Sequence, residues 1–267
     1  YLLVLPVVVY FIIFLYWPMY GVLIAFKDFV PSAGIWGSEW VGFHHFTRFF
    51  TSLYFSRTLV NTLSISLLTL LFGFPTPIIL AIMLNEVRMR WFKNTLQTIT
   101  YAPHFISTVV MCGMITMFLS PTSGMFNMIR EAMGLEAIGF LQNPKYFRTI
   151  YVVSEVWQHT GWSSIIYIAA LSGIDPTMYE AADVDGATKM QKIWFITLPA
   201  LVPTIVIMLI LNCGSIMSVG FDKAFLLQND LNRETSEIIS TYVYRIGLTG
   251  GQYSFSAAVG LLNNVVN

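Results

Sequence analysis

The apolar residues of this chain form long, nearly unbroken stretches. A window of about 19 residues finds six of them, and a helix needs roughly 20 apolar residues to cross hydrocarbon about 30 Å thick. A membrane β-barrel would instead alternate apolar and polar residues, which residues 202–211, for example, do not. The pattern predicts an all-α integral membrane bundle of six spans, over about residues 1–26, 59–84, 96–119, 150–171, 200–219 and from 255 onward.

Composition also indicates a membrane protein. Of the 267 residues, 56% are hydrophobic and 10% are charged, whereas a soluble domain carries about 25% charged residues. Fourteen basic residues balance fourteen acidic ones, so no basic surplus is available to bind nucleic acid. Cys112 and Cys213 lie in apolar runs without C-x-x-C spacing, and we interpret them as packing residues. Because Tyr1 already lies within an apolar run, we expect both natural termini to extend beyond this stretch.

The polar loop between the fourth and fifth spans has its own pattern. Asp175 followed by Pro176 predicts a helix start, since Asp caps free N–H groups and proline at the first helical position loses no bond. The helix is expected to end near Asp185, and Gly186 to supply a turn. A second short helix is expected over residues 187–195, with Pro199 starting the fifth span. This helix–turn–helix would present a slim side and acidic groups to another protein; these are Ala181, Ala182, Gly186 and Ala187, and Glu180, Asp183 and Asp185.

The same loop resembles the EAA signature of permease subunits of ATP-binding-cassette importers, E-A-A-x-x-x-G-x9-I-x-L-P. Every position is matched at the expected spacing, by Glu180, Ala181, Ala182, Gly186, Ile196, Leu198 and Pro199. Other segments are similar to carbohydrate-uptake permeases, in the branch that imports oligosaccharides or complex glycans. They are residues 18–28, 61–63, 103–107 and 154–157.

The resemblance implies a type I importer permease in the bacterial cytoplasmic membrane. Residues 1–267 would form a single transmembrane permease domain, with the coupling loop (residues 172–199) facing the cytoplasm. Lysine and arginine counts over the loops leave that orientation undecided, although residues 88–93 form a dense basic cluster. In such a permease Glu180 would pair with a basic residue of the ATPase, and Gly186 would supply the turn.

The resemblance also implies partners. A second, different but related permease would complete the translocation path, and an extracytoplasmic sugar-binding protein would deliver the sugar. Separate ATPase subunits would hold ATP and Mg, so this chain is expected to bind no cofactor and no metal and to have no catalytic residues. The chain carries no G-x-x-x-x-G-K-[ST] phosphate-binding pattern of its own.

One stripe in the fourth predicted span could line the path. Glu155 is the one acidic residue in a predicted span, and Gln158, His159 and Trp162 follow on the same helical face. Acidic groups in spans usually face a cavity or a partner, and sugar sites combine aromatic faces with converging polar groups. The alternative is that the stripe bonds the outer loops and holds the fourth helix in place. Asn212 of the fifth span either joins the path or bonds neighbouring helices.

Two other functions are compatible with six spans. An importer permease for another solute would share the loop. An ion-coupled secondary transporter would need an inverted repeat with broken helices at the midplane, and no internal repeat is visible in the sequence.

Overall fold

Backbone hydrogen-bonding groups inside a bilayer cannot turn to water, and this favours continuous helices. The structure, a computed structural model that describes residues 3–266, follows this rule, because its regular elements are almost all helical. The residues group into two units: residues 3–62 with 237–266, and residues 63–236.

The first unit opens with one helix over Leu5–Phe26. Its two short strands, Lys27–Asp28 and Glu39–Trp40, pair antiparallel with Lys27 opposite Trp40. Within the opening helix the segments are Leu5–Phe11, a π-helical turn Ile12–Tyr16, Trp17–Met19 and a 3-10 stretch Tyr20–Phe26. The other helices are Gly34–Gly37, His44–Phe50, the first part of Leu53–Gly73, Ile239–Tyr244 with a π-helical turn Arg245–Thr249, and Tyr253–Val266.

A buried carboxylate joins the separate parts of this first unit. The Glu237 side chain is fully buried and forms ion pairs with both Arg57 and Arg245. The amide of Asn61 donates to the backbone carbonyl of Glu237 at 3.0 Å, and both guanidinium groups lie near the ring of Tyr54. Removal of one partner of a buried ion pair leaves a charge uncompensated. This cluster therefore holds the start of the helix Leu53–Gly73 against Glu237 and the helix Ile239–Tyr244 that follows it.

The second unit holds the remaining helices. They are the rest of Leu53–Gly73, then Pro75–Glu86, Arg90–Tyr101, the 3-10 turn Ala102–Phe105, Thr108–Phe118, Met125–Ala132, Pro144–Leu171, Pro176–Val184, Lys189–Lys192, the π-helical turn Ile193–Thr197, Leu198–Cys213, Phe221–Leu227 and Arg233–Ser236.

At least three helices of the described residues are long and apolar enough to cross a membrane. They are Leu5–Phe26, Leu53–Glu86 and Lys189–Cys213, and the bent pair Arg90–Phe105 and Thr108–Phe118 would make a fourth. Pro144–Leu171, which contains the predicted fourth span, has 28 residues and is long enough, but its polar residues lower its hydropathy. Tyr253–Val266 has 14 residues. The six-span count therefore stays a prediction.

The third predicted span, residues 96–119, is not one straight helix. Its two parts meet at an angle of 98°. Pro103 has no N–H to donate, and Ile106 and Ser107 adopt extended backbone conformations. Ser107 then caps the second part by accepting a hydrogen bond from the backbone N–H of Val110.

The prediction that Pro199 starts the fifth span, after a separate short helix, is wrong. One helix runs over Lys189–Cys213 and passes through Pro199. A π-helical turn precedes the proline, in which the N–H of Leu198 donates to Ile193 five residues back. The wider turn accommodates the missing N–H of the proline. The same arrangement, with the N–H of Trp17 donating to Ile12, precedes Pro18.

The long helices of the second unit pack through a small apolar core and a close backbone contact. The core joins the helices around Ala81, Tyr167 and Leu201. A β-carbon at Gly161 would overlap the backbone carbonyl of Thr100. Small residues allow such close approach of helices in membranes, so glycine is required here by packing.

We expect Gly161→Ala to destabilise the second unit, because the methyl group would force two helices apart. Overpacking costs about 1–3 kcal/mol, and thermal unfolding in detergent measures it. Gly113→Ala is the matched control, since a β-carbon there would meet nothing within 4 Å in the described part of the chain. Equal unfolding temperatures for the two variants would contradict the packing requirement.

Candidate functional site

The helix Pro176–Val184, here called the coupling helix after the role that the resemblance implies, begins as the sequence predicts. The Asp175 carboxylate accepts a hydrogen bond from the backbone N–H of Thr177 at 2.9 Å, and Pro176 occupies the first helical position. The bonds from Thr177 hold the pKa of the Asp175 carboxyl below its usual value. This cap fixes where the coupling helix starts.

The coupling helix ends in a glycine turn, also as the sequence predicts. Gly186 has a φ of +74°, a left-handed conformation that glycine adopts without a steric cost. The N–H of Gly186 donates to Asp183 at 3.1 Å, and the N–H of Ala187 donates to Ala182 at 2.9 Å. This pair of bonds is the Schellman motif that closes helix ends. The chain then re-enters a helix capped by Thr188.

The residues of the EAA pattern divide between the turn and the helix that follows. Most of the turn faces outward, and Val184 between the acidic residues is 88% exposed. Among the pattern residues and the other residues suggested for coupling (Asp183, Asp185 and Ala187), the exposed ones are Glu180, Ala181, Asp183, Asp185, Gly186 and Pro199, and the partly buried ones are Ala182, Ala187, Ile196 and Leu198. The last three pattern positions therefore lie in the helix Lys189–Cys213 rather than in the turn.

Two polar contacts join the coupling helix to that following helix. The hydroxyl oxygens of Tyr179 and Thr197 lie 3.0 Å apart, and Asp183 forms an ion pair with Lys192. Asp183, which the sequence suggests as a handle for another protein, thus has a partner within its own chain.

A cavity of about 330 Å³, lined by both polar and apolar side chains, opens among the helices of the second unit. Glu155, His159 and Asn212 line it, so three of the five residues suggested for a path share one space. Its wall also carries many hydroxyl groups, from Ser66, Thr69, Tyr151, Thr160, Ser163, Tyr167, Ser215 and Ser218. Such a wall offers hydrogen bonds in many directions with aromatic surface between them.

The carboxylate of Glu155 is held on both sides. The Lys223 ammonium, which is buried, lies 2.8 Å from one carboxylate oxygen, and the other oxygen lies 3.3 Å from Nε2 of His159. The Nδ1 atoms of His159 and His104 are 3.2 Å apart. Glu155 therefore lines the cavity and also bonds Lys223, from the segment after the fifth span. The first contact is compatible with a role in the path, and the second with a role in holding the fourth helix in place.

The other two residues of the stripe lie elsewhere. Gln158 is buried and donates to the backbone carbonyl of Ile106 at 2.9 Å, beside the bend of the third predicted span. Trp162 stacks on His104 with ring centroids 4.6 Å apart. Within the described residues, neither side chain belongs to the cavity wall.

Several residues of these sites were not suggested by the sequence. Lys223 and His104 lie in segments that the sequence places outside the fourth span, and Tyr179, Thr197 and Lys192 carry no motif of their own. The one available indication was Glu155, since an acid in a span requires a partner. Among residues 3–266, no cluster of His, Cys, Asp and Glu side chains could hold a metal ion.

Helices long and apolar enough to cross a membrane, with a cavity lined by polar and apolar side chains between them, are typical of a membrane transport protein. The chain belongs to the family of binding-protein-dependent transport system inner membrane components, which it matches over residues 73–267. It is therefore the permease subunit of an ATP-binding-cassette importer, a transport subunit rather than an enzyme.

Named relatives agree with the family. Protein LplB and the polygalacturonan/rhamnogalacturonan transport system permease protein YteP, both of Bacillus subtilis strain 168, are each 46% identical to this chain. The matches cover all of this chain, 84% of LplB and 83% of YteP. A solved bacterial alginate ABC transporter, in complex with an alginate pentasaccharide-bound periplasmic protein, is similar with a TM-score of 0.92 and 45% identity. That match covers 100% of this chain and 88% of the other.

Proposed function

We propose that this chain forms half of the path by which an oligosaccharide enters a bacterial cell. The names of the relatives support the substrate class, since polygalacturonan, rhamnogalacturonan and alginate are all polymers of sugars. The hydroxyl-rich wall of the cavity supports it independently, because sugar hydroxyls need many donors and acceptors at close range.

The arrangement in the membrane is part of this proposal. The chain crosses the bacterial cytoplasmic membrane six times, as a single permease domain, with the coupling loop on the cytoplasmic side. Pro144–Leu171 and Tyr253–Val266 supply the fourth and sixth spans. The bend at Ile106 supports a third span of two parts, since irregular backbone at membrane depth is tolerated where it is buried in protein.

The exposed glycine turn supports a role in coupling to an ATPase. A turn that points away from its own unit, with Val184 almost fully exposed, fits a groove on another protein. We propose that this protein is an ABC ATPase, with Glu180 and Asp185 facing its basic residues. ATP and Mg bind to that ATPase, a second related permease completes the path, and an extracytoplasmic sugar-binding protein delivers the sugar.

The cavity supports a role in the passage of the substrate. Glu155, His159 and Asn212 would contact the passing sugar, and Gln158 and Trp162 would hold the surrounding helices in position. The Lys223 ammonium balances the charge of the Glu155 carboxylate, and the carboxylate oxygens would accept hydrogen bonds from the sugar.

We expect Gly186→Pro to abolish uptake of the sugar while the protein still inserts in the membrane. Proline cannot adopt the positive φ of this turn and has no N–H to donate to Asp183. Co-purification of the ATPase and uptake into cells measure the effect. Normal uptake in this variant would remove the coupling assignment.

Gly134→Pro is the matched control for that experiment. Gly134 has a φ of +76° and ends the helix Met125–Ala132 with the same two bonds, from Gly134 to Glu131 and from Leu135 to Arg130. The backbone disruption is therefore equal, but it lies outside the coupling loop. The ATPase should remain bound in this control.

Asn212→Leu tests the path. Its amide donates only within its own helix, to Met208 at 2.7 Å among the bonds recorded for residues 3–266, so its loss should leave assembly unchanged. We expect uptake to fall about tenfold, equivalent to about 1.4 kcal/mol, because a polar contact with the sugar is replaced by an apolar side chain. Unchanged uptake in vesicles would place the sugar elsewhere.

A further inference from the structure

The coupling helix is held by polar contacts rather than by a core. Of its described residues, none is buried, although a helix that transmits force must be fixed to what it moves. The contacts available are the hydroxyl pair Tyr179–Thr197 and the ion pair Asp183–Lys192. Tyr179 and Asp183 are four residues apart and therefore lie on the same face of the coupling helix.

The π-helical turn Ile193–Thr197 brings the side chains of Lys192 and Thr197, which contact the coupling helix, onto one face. In an α-helix, Lys192 and Thr197, five residues apart, would point in well-separated directions. A π-helical turn bonds residues five apart and so brings them nearly into line. The turn that accommodates Pro199 thus also aligns Lys192 and Thr197 with the coupling helix.

The environment of each contact determines its strength. Thr197 is buried, so its hydroxyl needs a partner, and Tyr179 provides it. The Lys192 side chain is 17% exposed and that of Asp183 is 66% exposed, which leaves the ion pair partly screened. Substitutions that change the charge of Asp183 or Lys192 are therefore expected to leave the protein folded.

We infer that these two contacts fasten the coupling helix to the base of the fifth-span helix Lys189–Cys213, so that both move as one body. Tyr179, Asp183, Lys192 and Thr197 are then positioning residues for coupling. The inference rests on the proposed ATPase contact. It assigns Asp183 an internal role instead of a contact with the ATPase.

The test uses the full importer, with its ATPase and second permease, in proteoliposomes. The double variant Tyr179→Phe with Asp183→Asn removes one hydroxyl and one charge at constant shape. We expect it to assemble and to hydrolyse ATP, with sugar transported per ATP reduced about tenfold, or about 1.4 kcal/mol of coupling. Glu136→Gln, an exposed acid outside the coupling loop, should leave this ratio unchanged.

A charge exchange separates an internal role from an ATPase contact. Asp183→Lys and Lys192→Asp should each lower transport per ATP, and the two together should restore it. The inference would be overturned if the charge exchange failed to restore transport per ATP. It would also be overturned if Tyr179→Phe with Asp183→Asn left transport per ATP unchanged. If Gly186→Pro also kept the ATPase bound and uptake normal, the proposed coupling function itself would fail.

Discussion

The structure depends on one constraint, that a backbone within a bilayer must satisfy its hydrogen bonds inside the protein. Eleven prolines make this difficult, since each lacks a donor. Before Pro18 and Pro199 the helix widens into a π-helical turn and continues, whereas after Pro103 it breaks and bends by 98°. The π-helical turn before Pro199 also contains Thr197, whose hydroxyl contacts Tyr179 of the coupling helix.

Charged side chains within each unit are likewise satisfied by partners inside the protein. Glu237 is matched by two arginines and Glu155 by a buried lysine. The buried ammonium of Lys223 compensates the Glu155 carboxylate where this side chain lines the cavity. The pairing that stabilises Glu155 is thus compatible with a role in transport, and the structural and functional interpretations of this residue need not compete.

Local features of the coupling loop could be predicted from sequence because neighbouring residues determine them. Asp175 caps its helix and Gly186 forms the turn as expected, since both depend on bonds within a few positions. The continuation of the helix through Pro199 could not be predicted, because proline usually marks a helix start and the π-helical turn leaves no sequence pattern. The partners Lys223 and Lys192 are set by tertiary packing, which periodicity does not reveal.

The central claim is that this permease works only as part of an ATP-driven complex. Purification of the full-length protein from its native membrane in mild detergent, followed by mass spectrometry, tests it most directly. We expect recovery of an ABC ATPase, a second permease and a sugar-binding protein. A chain that purified alone and moved solute into vesicles without ATP would contradict it.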